Sequence, residues 1–165
     1  MNKKILTVTM ALALSTTSLM AEKNKALHIG YGTSSAYDGE DKSTIDLGFN
    51  LTKIFSNQVL VGFDASILLS EDDIIGLDAL GQVGYQFTPK FSAYALAGMK
   101  VQGKDDEIGE DYTVTGLGLG AGATYQMFDS VGLYVKYIKA DKMKDGMDVE
   151  FENETALIGL SFKLD

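Results

Sequence analysis

The stretch YQFTPKFSAY, residues 85–94, decides the fold. It holds the chain's one proline, Pro89, and sets Phe87 and Phe91 symmetrically on either side of it. Turns bathed in water are polar because their backbone groups need solvent. Large apolar rings on both shoulders of a turn therefore suit a boundary between apolar surroundings and water, such as a membrane interface. Working outward, both flanks alternate. Upstream, Ile75, Leu77, Ala79, Val83, Tyr85 and Phe87 oppose Asp78, Gln82, Gly84 and Gln86; downstream, Phe91, Ala93, Ala95, Ala97, Met99 and Val101 oppose Ser92, Tyr94, Lys100 and Gln102. This period of two gives each strand one apolar and one polar face.

The same alternation recurs along the rest of the chain. Ile45, Leu47, Phe49 and Leu51 oppose Asp46, Gly48, Asn50 and Thr52, and Val131, Leu133, Val135 and Tyr137 oppose Gly132, Tyr134 and Lys136. Near residues 59–69 the pattern is spoiled by Leu60 and Leu68. About eight strands result, each near the 9 to 11 residues that a tilted strand needs to cross a bilayer. The connections SNQ, TPK and FDS are short, and they alternate with longer acidic ones, DGEDK, SEDD, GKDDEIGEDY and DKMKDGMD. In an up-and-down barrel alternate connections emerge at opposite ends, so one end is plain and the other acidic.

Composition narrows the function. A length of 165 residues and a net charge of −9, with lysine supplying every basic residue except His28, exclude the cationic footprint that nucleic acid requires. Residues 1–21 read as a secretory signal peptide, with Lys3 and Lys4 ahead of an apolar run and cleavage after Ala21; residues 22–165 form the barrel domain. There is no cysteine for disulfides or thiolate metal sites. No later segment is apolar and long enough for a membrane-spanning helix, so only a barrel can span.

Two rings of aromatics follow from the strand assignment. Phe55, Phe87, Phe91, Tyr125, Phe128 and Phe162 fall beside the short turns, and Tyr37, Tyr112 and Phe151 beside the acidic loops. Such girdles mark the two faces of a membrane. With these features, residues 26–165 resemble the small eight-stranded outer-membrane barrels of the OmpA-like and OmpX-like group. The resemblance implies an all-β, eight-stranded antiparallel up-and-down transmembrane barrel in a Gram-negative outer membrane. It further implies short turns and termini in the periplasm, insertion by the barrel-assembly machinery, and contact with outer-membrane lipid and lipopolysaccharide. The group usually ends on an aromatic residue recognised in assembly; here Phe162 is followed by Lys163, Leu164 and Asp165, so that signal is present in displaced form. No peptidoglycan-binding domain is expected.

If the polar parity faces inward, the lumen receives Asp46, Asp64 and Asp78 together with Lys100, Lys136 and Lys163. Pairing Phe87 with Phe91 puts Asp78 opposite Lys100, and the other short turns pair Asn50 with Asp64 and Gly122 with Lys136. Asp78, Lys100, Asp64, Lys136 and Asp46 are thus the candidates for lumenal ion pairs or a gate. The glycine row Gly116, Gly118, Gly120 and Gly122 is expected to make room for Tyr134 and Lys136, or to allow a bend. Acidic clusters, including Asp105, Asp106 and Glu107, offer weak divalent-cation contact but no EF-hand spacing, and no defined metal site or cofactor is expected. His28 stands at the start of the first strand, away from the outer leaflet where lipid-modifying chemistry would act, and the sequence contains no GxSxG elbow. His28 is therefore expected to be a lumen or interface residue, and no catalytic residue is expected. The expected role is a monomeric scaffold displaying acidic loops, with a mostly filled lumen. A small gated pore is one alternative, and a soluble lipocalin-like barrel binding an apolar ligand is another.

Overall fold

The computed structural model describes residues 24–35, 39–104, 112–144 and 150–164. Residues 1–21, expected from the sequence to be a signal peptide, lie outside them. Eight strands run β1 Asn24–Ser35, β2 Asp41–Ile54, β3 Val59–Ser70, β4 Ile74–Thr88, β5 Phe91–Lys104, β6 Tyr112–Gln126, β7 Val131–Lys144 and β8 Glu150–Leu164. Each pairs antiparallel with its sequence neighbours, and β1 pairs with β8 from Lys25↔Leu164 to Ser34↔Thr155, closing the barrel. Closure leaves no unpaired edge, the condition for backbone to lie in hydrocarbon.

The turn around Pro89 forms because Thr88 replaces missing backbone pairing. Its Oγ1 accepts hydrogen bonds from the Lys90 and Phe91 N–H groups at 3.2 and 3.0 Å, while the register shifts between Gln86 and Thr88. Proline, with no donor to offer, fits at this point outside the ladder. Neighbouring turns are tied together, Gln86 N–H to the Gln58 carbonyl at 2.9 Å and Gln126 N–H to the Lys90 carbonyl at 2.7 Å.

The SEDD connection departs from the sequence expectation. It is not a longer loop but a tight hairpin, with Asp72 and Asp73 at φ 60° and 58° and β4 resuming at Ile74. Two successive left-handed residues match the right-handed twist of the strands, and aspartate tolerates that conformation better than most side chains. At the DKMKDGMD connection β7 continues to Lys144, so part of the acidic segment is strand.

A second difference concerns the inward face. Leu60 and Leu68 do not spoil β3; they take the inward parity and are buried, as are Leu80, Leu96, Val114, Ile138 and Leu157. They form three clusters: Leu60, Leu80, Tyr94, Leu96 and Ile138; Leu68, Tyr134 and Leu157; and Val114, Ala140 and Met143. An eight-stranded interior is narrow enough for facing side chains to meet, so apolar groups there find partners and need not face water.

Candidate functional site in the barrel lumen

The outward surface sets the frame for the lumen. Leu27, Ile29, Val83, Met99, Leu117, Leu119 and Ile158 are exposed, as the apolar parity predicts. Among the described residues, outward positions carry no charge between Lys25 and Lys53 near one end and Asp41, Glu71, Lys139 and Glu154 near the other. A soluble ligand-binding barrel needs the apolar parity inside; the arrangement is the reverse, and the lipocalin-like alternative is set aside. Phe55, Phe87, Phe91, Tyr125, Phe128 and Phe162 are all exposed at the short-turn end, with the Phe87 and Phe91 rings 5.8 Å apart. Tyr37, Asp105, Asp106 and Glu107 lie outside the described residues, as do the side chains of Tyr112 and Phe151. Toward the loop end, the exposed outward tyrosines are Tyr31 and Tyr137, which sequence reading placed merely in the apolar parity.

Inside, the charged side chains fall into two separate networks. In the first, register places Asp78 on β4 opposite Lys100 on β5, and Lys100 Nζ donates to Asp78 Oδ2 at 2.9 Å and to Thr155 Oγ1 on β8 at 3.2 Å. Both partners are buried. In the second, Lys136 on β7 serves two carboxylates, 3.0 Å from Asp64 Oδ1 on β3 and 3.1 Å from Asp46 Oδ2 on β2. Tyr134 Oη donates to the same Asp46 oxygen at 2.6 Å, and Asn50 Nδ2 donates to Asp64 Oδ2 at 3.1 Å. Lys163 shares the inward parity but is exposed at the barrel mouth and joins neither network.

Sequence reading left His28 out of the site candidates, yet it sits within the second network. Its Nε2 lies 3.1 Å from Ser66 Oγ, 3.3 Å from Lys136 Nζ and 3.4 Å from Asp46 Oδ2, and its ring packs edge-on against Tyr134. The available signal was parity, since His28 alternates with Leu27 and Ile29 and so points inward. Ser66, His28 and Asp64 share the connectivity of a hydrolytic triad but lack its geometry. Asp64 Oδ2 is 3.9 Å from Nδ1, too long for the orienting hydrogen bond, and the Lys136 ammonium contacts both Ser66 Oγ, at 3.1 Å, and the Nε2 that would act as base. Among the described residues no group of three or more His, Asp or Glu is arranged to hold a metal ion.

The glycine row makes room as expected, but for different neighbours. A Cβ on Gly122 would lie 2.5 Å from the Tyr94 ring, one on Gly118 2.9 Å from Lys100 Cδ, and one on Gly116 2.8 Å from Met143 Cγ. Tyr134 instead lies over Gly30 and Gly159. The covers of the β6 glycines come from the adjacent strands, Tyr94 and Lys100 from β5 and Met143 from β7, and Gly122 and Gly159 are covered by their own register partners Tyr94 and Tyr134.

A cavity of about 590 Å³ opens at the short-turn end. It runs from Pro89, Lys90 and Phe128 at the turns, past Gln82, Thr124 and Tyr94, to a floor at His28, Asp64 and Lys136. Ser66 does not line it. Among the described residues, three buried acceptors, Asp46 Oδ1, Asp78 Oδ1 and Gln102 Oε1, have no hydrogen-bond partner.

Comparison with known proteins places this geometry. The family described as outer membrane protein beta-barrel domain matches residues 5–163. No curated protein matches the sequence. Among solved structures, the chain is similar to Ail, the attachment invasion locus protein of Yersinia pestis, in complex with the heparin analogue sucrose octasulfate. That likeness has 18% identity and a TM-score of 0.61, and covers 87% of this chain and 100% of that one. Neisserial surface protein A is similar at 14% identity and a TM-score of 0.58, over 86% and 97% of the two chains. The N-terminal β-barrel domain of Pseudomonas aeruginosa OprF is similar at 15% identity and a TM-score of 0.51, over 87% and 100%. At these identities the likeness is one of fold.

Proposed function

The chain belongs to the outer membrane protein β-barrel domain family and is an integral outer-membrane barrel; from that premise we propose a structural and surface-interaction role, with a non-conducting lumen and an acidic face presented to the outside. The observation that carries this reading is the apolar packing across the interior. Leu80, Ile138, Val114 and Met143 are fully buried at inward positions, where a conducting path calls for polar walls. The ion pairs support it too, because Asp46, Asp64, Asp78, Lys100 and Lys136 are bound to one another rather than to solvent.

No catalytic residue, cofactor or resident metal enters this reading. Export by a cleaved signal peptide, insertion by the barrel-assembly machinery, a Gram-negative envelope and a monomeric state go with it. Lipopolysaccharide surrounds the loop end, and the loops meet an external partner chosen by charge. Ail's complex is with a sulfated polyanion. The loop end here carries Glu40, Asp41, Glu71, Asp72, Asp73, Glu152 and Glu154, so the external partner is cationic, or is bridged to the loops by divalent ions.

The second reading, a small gated pore, is favoured by the cavity that reaches Asp64 and Lys136 from one end. Single-channel recording in a planar bilayer separates the two. Silence from protein proven folded by its heat-dependent gel shift supports the non-conducting lumen; discrete steps that change with Asp78→Asn or Lys136→Gln overturn it.

A further inference from the structure

Lysines at the two ends of the barrel are in different situations. At the loop end, Lys42 Nζ lies 2.7 Å from Glu40 and 3.1 Å from Asp72, and Lys139 Nζ lies 2.9 Å from Glu152 and 3.2 Å from Glu154. The lumenal lysines are likewise paired. At the short-turn end stand Lys25, Lys53, Lys90 and Lys163, and none has a carboxylate within 4.0 Å among the described residues. Asp129 is the one described acid at that end.

Their placement is as informative as their lack of partners. Lys25 and Lys163 occupy adjacent register positions on β1 and β8, beside Leu164 and Ala26. Lys53 stands near the end of the neighbouring β2, its Nζ 5.4 Å from the centroid of the Phe55 ring. That ring belongs to the aromatic girdle, so the contact holds an ammonium at the level where chains give way to headgroups. Lys90 sits in the turn between the girdle residues Phe87 and Phe91. Lysine stems can lie along apolar surface with the charge at the interface, where anionic headgroups are the available counter-ions.

We propose that the short-turn rim is a binding collar for anionic glycerophospholipid, with Lys25, Lys53 and Lys90 engaging headgroup phosphates of the inner leaflet, while Lys163, at the lumen mouth behind Lys25, adds positive charge to the rim. The leaflet assignment rests on the outer-membrane orientation read above, with short turns toward the periplasm; the lipid preference does not. Charge complementarity also favours one insertion polarity, since the loop-end lysines are already neutralised.

The test is native mass spectrometry of the mature chain refolded with equal amounts of phosphatidylglycerol and phosphatidylcholine. Retained lipid is expected to be mainly phosphatidylglycerol, and the preference is expected to fall by roughly five-fold for each Lys→Gln change at positions 25, 53 and 90. K42Q/K139Q, at the other rim, is expected to leave it unchanged. Equal retention of the two lipids, or a preference that survives the triple variant, overturns the proposal. So does displacement of phosphatidylglycerol by an equimolar phosphorylated glycolipid. Because both leaflets in the assay are equivalent, a wrong orientation cannot produce these failures, and bilayer recordings test the lumen separately.

Discussion

Asp78 and Lys100 face each other directly across β4 and β5, joined at 2.9 Å, with side chains only 2% and 3% exposed. Each is the other's counter-ion, and Thr155 supplies the ammonium's further acceptor. Removing one partner of a buried pair strands the other, at a cost of about 3–5 kcal/mol, less where water reaches the charge. Asp78→Asn is therefore expected to lower the urea midpoint of unfolding. The double variant Asp78→Asn/Lys100→Met is expected to recover part of the loss, since no charge is stranded. A double variant less stable than the single one would show that the pair is not the relevant coupling.

Lys136 carries more than Lys100, because Asp46 and Asp64 share its one ammonium. Lys136→Met leaves two buried carboxylates close together, whereas Lys100→Met leaves one. The first is expected to destabilise the barrel more in parallel unfolding titrations, and adding Asp64→Asn is expected to restore part of its stability. Equal losses for the two lysine variants would contradict the shared-ion geometry.

Close packing of rings over glycine gives a prediction independent of charge. Gly122→Ala puts a methyl 2.5 Å from the Tyr94 ring and is expected to cost about 1–3 kcal/mol of overpacking. Tyr94→Leu in the same chain is expected to relieve it. Gly81 faces outward, with the nearest group to an added Cβ being the Ala97 carbonyl oxygen at 3.6 Å, so Gly81→Ala is expected to be near neutral. Equilibrium unfolding of the three variants checks the contrast.

Depth within the bilayer is readable by arginine. Ile158 faces outward on β8 midway between the girdle residue Phe162 and the loop-end Glu154, paired with Tyr31 and Val135, while Thr113 faces outward at the loop end of β6. Ile158→Arg is expected to cost roughly 2–4 kcal/mol and Thr113→Arg roughly 0–1 kcal/mol in lipid vesicles. Equal costs would mean that the charge-free band is not the part that lies in hydrocarbon.

Sequence and tertiary structure divided the work along a physical line. Alternation of apolar and polar side chains is local, because successive residues of a strand point to opposite faces. It identified the strands and the outward band from residues such as Leu47 and Ile158. The short turns fixed the neighbouring registers, as at Asn50↔Asp64 and Gly122↔Lys136. Parity puts Leu60 and Leu68 inside with Asp64 and Ser66, but it could not say that leucines are welcome there, since that depends on the side chains facing them across the lumen. Nor did it distinguish the Asp72–Asp73 hairpin from a longer loop, because acidic composition is common to both.

The second ion network came from closure alone. His28, Asp46, Asp64 and Lys136 lie on β1, β2, β3 and β7 and meet because β8 pairs back onto β1 with one particular stagger. The sequence determined which residues face inward, since that follows from a period of two. The closed barrel decided which inward residues touch, since strand tilt and register set contacts between strands that no single turn connects.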